Sequence, residues 1–237
     1  MNDDPLRWWS PFTDSGDVAV IHVDLVPHQR RETEAVAWLD AHERSRWQSY
    51  RSSAAQRRYG LCRAALRAVL CGRIGCPNNS LAFIPVEGGK PFALVDDVPV
   101  SISFNVSHSG NHGLIAVAPS GRVGVDVEER VPRRKLESLI EGVFSPQEQA
   151  ELTSLDGYRR LHMFFRFWTI KEALVKAWGK GLFADVAALE IPRDMRRGAP
   201  RSVGRFAQIS ETYWCLEDIG SKDFAAAVAY ESKSAQP

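Results

Sequence analysis

The sequence predicts an α+β fold made of two similar halves. Strand-like segments cluster around short turns, as antiparallel hairpins require, instead of alternating singly with helices. The order along the chain is helix, strands, helix, strands, and it begins again near Pro119 to Arg122, without a letter-by-letter repeat. The 237 residues, 44% hydrophobic and 25% charged, are enough for two cores of ordinary soluble composition. The halves are therefore expected at residues 1–119 and 120–237.

Taken in order, Val18 to Val26 alternates as a first strand that Pro27 ends. From Glu32 to Leu70 the apolar spacing is helical, with Trp38, Leu39, Trp47, Tyr59, Leu61, Leu66 and Leu70 among its apolar positions, and the region is rich in arginine. CGRIGCPNNS breaks that helix, and LAFIPVEGGKPFAL reads as strand, turn, strand. Three short strands follow, separated by SHSGN and APSG. Beyond Pro132 a helix is predicted. FSPQEQAEL starts another, with Ser145 as N-cap, Pro146 first and Glu148 third, the pattern of a capping box. A strong helix runs from Tyr158 to Trp178 and stops at GKG; the tail (RFAQIS, TYWCLED, FAAAVAY) is β-rich.

Composition excludes several functions. A net charge of +1 argues against a broad nucleic-acid surface, so an anionic ligand has to be met by a local cluster. The N-terminus lacks the pattern of a secretory signal, and no apolar run approaches the ~20 residues that span a bilayer, which predicts a soluble cytoplasmic protein. Cys62, Cys71, Cys76 and Cys215 form no CxxC pair and no metal-finger spacing; they read as reduced thiols that mostly pack. The GxxxxGK[ST], GxGxxG and HExxH patterns are absent, and no GxSxG elbow surrounds the Ser107 and His108 pair.

The chemistry is concentrated in GVDVE, Gly124 to Glu128. Strand alternation puts Asp126 and Glu128 on one face, where two like charges repel unless a cation or several donors compensate. A plain strand end with two solvated acids is one reading; two ligands for a hard cation is the other. WTIKEALVKAWGKG supplies a third carboxylate, because Trp168, Glu172 and Lys176 recur at helical spacing on one face. Glu172 and Lys176 also make an ordinary surface pair worth ~0.2–0.5 kcal/mol. Asp126, Glu128 and Glu172 together form an all-oxygen set suited to Mg²⁺, with Mn²⁺ as a substitute, and Mg²⁺ commonly completes its shell with substrate phosphates.

Other residues fit a phosphoanhydride substrate, each beside a plainer reading. Lys90 sits on the glycine-rich turn of GGKPF, where a hairpin lysine is common. Ser107 and His108 end a strand from which a hydroxyl and an imidazole can donate to phosphate, or simply be solvated. Arg46, Arg58 and Arg63 offer planar forks, although an arginine-rich helix is often only a solvated face.

Together GVDVE and WTIKEALVKAWGKG resemble the two signature motifs of 4′-phosphopantetheinyl transferases of the surfactin-synthetase-activating (Sfp) type, with GGKPF, FNVSHSG and VFSPQE in the expected order. The resemblance runs from about Glu43 to Gly181. It implies a pseudo-dimeric α+β fold with antiparallel strand clusters and coenzyme A in the cleft between the halves. The implied reaction moves the phosphopantetheine arm from coenzyme A to a serine of an apo carrier protein, releasing adenosine 3′,5′-bisphosphate. By motif, Asp126, Glu128 and Glu172 would hold Mg²⁺ against the pyrophosphate and Lys176 would neutralise the leaving phosphate. Lys90 and Pro91 would border the adenine; His108 would meet the 3′-phosphate or the pyrophosphate; Arg46 and Arg58 would help with the 3′-phosphate. Glu148 corresponds to the family's suspected general base, although its capping-box position explains it equally well. Lys171 is either a pyrophosphate or positioning contact, or a surface residue. Where some members carry a lysine early in the basic helix, this chain has Glu43.

The partners so implied are apo carriers of fatty-acid, polyketide or nonribosomal-peptide synthesis, with no nucleic acid and no membrane, and the length implies a monomer. Two rivals stand beside this reading: an Mg²⁺-dependent hydrolase that uses water in place of the serine, and a binding module without turnover. The N-terminal Trp8, Trp9 and Phe12 either cover a core edge or join the partner surface.

Overall fold

A computed structural model of the chain describes residues 7–86, 90–179, 185–206, 208–209 and 212–232. These fall into two compact units, Met1–Pro119 and Ser120–Pro237. Both are α+β, and among the described residues every strand pairing is antiparallel.

In the first unit, β1 (Trp9–Ser15) and β2 (Val18–Asp24) form a hairpin around Gly16 at φ 59°. With β6 (Ser103–Ser109) and β7 (His112–Ala118) they make a four-stranded sheet in the order β1-β2-β7-β6. A smaller sheet holds β3 (Leu81–Ile84), β4 (Phe92–Val95) and β5 (Val98–Pro99). The long helical region of the sequence is three helices: α1 (Gln29–Trp38), α2 (Ala41–Ser49) and α3 (Ser53–Ile74). Their breaks have a local cause. The Asp40 side chain accepts from the Glu43 amide and the Glu43 side chain from the Asp40 amide, a capping box that starts α2, while Ser52 caps α3. An apolar periodicity continues through such a cap, which is why the pattern alone merges the helices. Against the sheet, α3 buries Leu61, Cys62, Ala65, Leu66 and Leu70 with Val23, Leu25, Ile115 and Val117. Trp8 closes one side of this core and donates from its indole to the Leu61 carbonyl at 3.0 Å, which settles its place as core cover.

The second unit pairs β8 (Val123–Glu129), β11 (Phe224–Ser232), β10 (Tyr213–Asp218) and β9 (Arg201–Arg205) in the order β8-β11-β10-β9. Among the described residues it is accompanied by α4 (Leu136–Val143), α5 (Pro146–Thr153), the 22-residue α6 (Gly157–Trp178) and α7 (Arg193–Arg196). An aromatic stripe of α6 (Phe164, Phe165, Phe167) meets Phe144, Trp214, Leu216 and the alanines of β11 in the core. Gly179, at φ 85°, ends α6; Lys180 and Gly181 of the expected GKG stop lie outside the described residues, as do the glycines of GGKPF.

Candidate active site

Gly124 decides how β8 and α6 meet. A Cβ placed on it would lie 2.1 Å from the Ala173 carbonyl oxygen and 2.4 Å from the Ala177 nitrogen, so strand and helix touch main chain to main chain. Only glycine permits this approach. Alternation puts Asp126 and Glu128 on the strand face that Gly124 occupies. One turn apart on α6, Glu172 and Lys176 flank Ala173 and Ala177 in sequence, so the seam brings all four side chains into one neighbourhood. Lys176 Nζ lies 2.6 Å from Asp126 Oδ1, and Asp126 is nearly buried. Glu128 accepts from Arg133 at 2.8 Å.

Glu172 reports the field in this cluster. Its carboxyl is pushed above the usual range, first by burial and next by Asp126, with Glu128 adding to the rise and Lys176 opposing it. Among the described residues, no three His, Cys, Asp or Glu side chains are drawn close enough together to hold a metal ion. The cluster is thus a lysine-tethered carboxylate set with surplus negative charge. Hard oxygen donors in a field that favours added positive charge fit a cation such as Mg²⁺.

Glu148 and Lys171 are placed elsewhere. Lys171 Nζ sits 2.6 Å from Glu148 Oε2, and the two side chains are 1% and 0% exposed. Lys171 also donates to the Val143 and Val186 carbonyls at 3.0 Å each, while Glu148 accepts from the Ser145 amide at 2.8 Å and the Ile191 amide at 2.7 Å. Burial lowers the lysine's pKa and the Glu148 charge opposes that shift. An enclosed carboxylate engaged on both oxygens does not fit the expected general base, and a lysine enclosed with it does not fit the expected pyrophosphate contact or a surface position. The capping-box reading of Glu148 is the one the geometry realises: Ser145 accepts from its amide.

In the first unit, Arg46 and Pro91 line a cavity of about 630 Å³ together with Tyr59, Arg63, Phe83 and Ile84. The Arg46 and Arg63 guanidinium carbons lie 5.5 and 5.7 Å from the Tyr59 ring centre. Cationic forks beside flat apolar walls can receive an anion attached to an aromatic base. Lys90 precedes Pro91 and is half-buried; Arg58 is half-buried on α3, outside this lining. Ser107 is buried and the adjacent His108 exposed, on opposite faces of β6. Glu43 is buried in ion pairs with Arg67 at 3.1 Å and Arg63 at 3.5 Å, and burial raises its pKa. Sequence reasoning missed Tyr59, Phe83 and Ile84 as cavity walls. The alternation of LAFI marks a strand without saying what it faces.

Comparison with known proteins now bears on this geometry. Residues 26–120 match the family described as 4′-phosphopantetheinyl transferase, N-terminal, and residues 122–229 match the 4′-phosphopantetheinyl transferase superfamily. The 4′-phosphopantetheinyl transferase HetI of Nostoc sp. is 30% identical over 220 residues, covering 92% of this chain and 90% of HetI. The chain belongs to the 4′-phosphopantetheinyl transferase superfamily. It is accordingly an enzyme, a transferase. A Synechocystis sp. protein that carries the transferase name provisionally is 39% identical over 146 residues, 62% of this chain and 59% of its own length. The transferase AcpT of Escherichia coli K12 is 41% identical over 93 residues, 39% of this chain and 46% of AcpT. This superfamily member thus spans under two thirds of those two relatives and nine tenths of HetI. No helix among the described residues is long and apolar enough to cross a membrane.

Proposed function

We propose that this transferase moves the 4′-phosphopantetheine arm of coenzyme A onto a serine hydroxyl of an apo carrier protein, releasing adenosine 3′,5′-bisphosphate, in the manner of the Sfp type. The observation that carries the reading is the gathering of Asp126, Glu128, Glu172 and Lys176 where α6 rests on Gly124. Of the relatives, HetI and the gsp transferase of Aneurinibacillus migulanus, 32% identical over 129 residues, lend support to that type.

Asp126, Glu128 and Glu172 would hold Mg²⁺, or Mn²⁺ in its place, which when bound neutralises charge on a pyrophosphate. Lys176, tethered to Asp126, would meet the charge that builds on the leaving phosphate as the serine oxygen attacks the β-phosphorus. Arg46, with the walls of Tyr59, Phe83 and Pro91, would receive the 3′-phosphoadenosine end; Arg58, Lys90, Ser107 and His108 are proposed as further contacts to coenzyme A. Most of the rate gain then comes from positioning and charge neutralisation, since phosphoryl transfer asks little covalent help of the protein. Glu148 and Lys171 hold the scaffold under α6.

The test is the intact mass of apo carriers from fatty-acid, polyketide and peptide synthesis after incubation with the enzyme, coenzyme A and Mg²⁺. A gain of one phosphopantetheine that EDTA abolishes is expected. Cleavage of coenzyme A with every carrier unmodified would point to a hydrolase instead.

A further inference from the structure

Helix α3 stops in a way that brings two cysteines together. Gly75 is left-handed at φ 78°, its amide donates to the Cys71 carbonyl at 2.8 Å, and the Cys76 amide donates to the same carbonyl at 3.2 Å. The second bond, from the residue beyond the left-handed glycine back to Cys71 in the last turn, belongs to the Schellman stop, in which the side chains of those two residues commonly touch. Here both side chains are thiols. Each is half-buried on the core of the first unit and so keeps an edge toward solvent.

From this geometry we propose that Cys71 and Cys76 form a modification site: a dithiol that closes to an intramolecular disulfide on reaction with a small-molecule disulfide. A disulfide needs Cα atoms within about 7 Å, which the direct backbone hydrogen bond between the two residues satisfies. The order of events follows from the thiols' surroundings. Burial, with Cys76 beside it, pushes the Cys71 thiol up to about 11, and the first attack is assigned to Cys76, which lies past the end of α3 on the connecting segment.

Cys76 gives up its proton and its thiolate attacks one sulfur of the small disulfide, expelling one thiolate and leaving a mixed disulfide. Cys71, tied to Cys76 by the backbone hydrogen bond, then loses its proton, attacks the Cys76 sulfur and expels the second thiolate. Two protein thiols are oxidised, one external disulfide is reduced to two thiols, and the two protons end on those products. The link would fasten the end of α3 to the segment leading into β3, whose Asn78 and Leu81 carbonyls already accept from Arg67 of α3.

To test this, the full-length protein is incubated with oxidised glutathione, alkylated, weighed intact and digested with trypsin without reduction. The expected result is a loss of two hydrogen masses, no glutathione adduct, and the fragment ending at Arg73 joined to the fragment beginning at Ile74 although trypsin has cut between them. Dithiothreitol should separate them, and the oxidised protein should melt at a higher temperature than the reduced one. Cys71→Ser is expected to stop at a glutathione adduct on Cys76. If that variant does not fold, the wild-type fragments decide alone. A lasting adduct in the wild type, a link to another cysteine, or two alkylated thiols at these positions would overturn the proposal.

Discussion

Glu148 shows what one residue's surroundings can do to an assignment. In the sequence it is both a candidate base and the third residue of a capping box, and no local pattern separates the two roles. The separation comes from Lys171, which is distant in the chain and meets Glu148 only once α5 and α6 pack. Removing one partner of a buried ion pair leaves an uncompensated charge and costs about 3–5 kcal/mol, whereas replacing both can be close to neutral. Glu148→Gln and Lys171→Met should therefore each lower the midpoint of chemical denaturation strongly, and the double variant should recover most of the loss together with its transfer activity. A general base would show no such recovery. Glu172→Gln is the contrasting case: transfer should fall at least ~100-fold, with the melting temperature unchanged or raised, because the lost charge was already disfavoured there. His22 carries the pH prediction. Its Nε2 lies 3.1 Å from His112 Nδ1, and burial, then His112, lowers its pKa below 6.5 against the pull of Asp24. The fold prefers the neutral ring, so this stability is complete above 6.5 and is lost as pH falls through the lowered value. Melting temperatures measured across mildly acidic pH should fall less steeply for His22→Gln than for the wild type.

Elements were legible where their signals are local. Ser145, Pro146 and Glu148 announce the start of α5, and the structure shows that capping box complete. The three strands around SHSGN and APSG are β6, β7 and β8. The division of the basic helical region at Asp40 and Ser52 was present as good cap residues, but the apolar period running through them outweighed those signals. Strand β1 escaped notice because Pro11 and a register shift between Pro11 and Thr13 disturb its alternation. Of the three carboxylates proposed as metal ligands, Asp126 and Glu128 share a face by strand period alone. Their meeting with Glu172 depends on Gly124, whose role is plain only when α6 is seen lying on it. Gly124→Ala should cost about 1–3 kcal/mol or more, since the added methyl group meets main chain and no side chain can move aside. Circular dichroism melts would measure the loss, and transfer should fall with it as Glu172 and Lys176 shift from Asp126. A variant as stable and active as the wild type would show that the seam is not as tight as drawn.

For the whole molecule, α+β with antiparallel sheets was legible because strand clustering is a property of order, which survives loose boundaries. The expected boundary near Pro119 to Arg122 falls between β7 and β8, close neighbours in the chain that belong to different sheets. Sheet membership is set by long-range pairing with β2 and β11. Ligand linkage offers a test at this scale. Coenzyme A should raise the melting temperature in proportion to the logarithm of its concentration, with about 2.7 kcal/mol of added stability at 100 times its dissociation constant. If Glu172 holds the metal as proposed, EDTA should remove part of that gain in the wild type and little of it in Glu172→Gln.

The seam at Gly124 also has a consequence for redesign. Because strand and helix abut through main-chain atoms, the spacing between Asp126 and Glu172 has a fixed datum that no surface substitution can shift. Retuning the proposed metal site for a larger ion must therefore work through the reach of individual side chains, such as lengthening Asp126 to glutamate, while the distance between the two elements remains as constant as the jaws of a gauge.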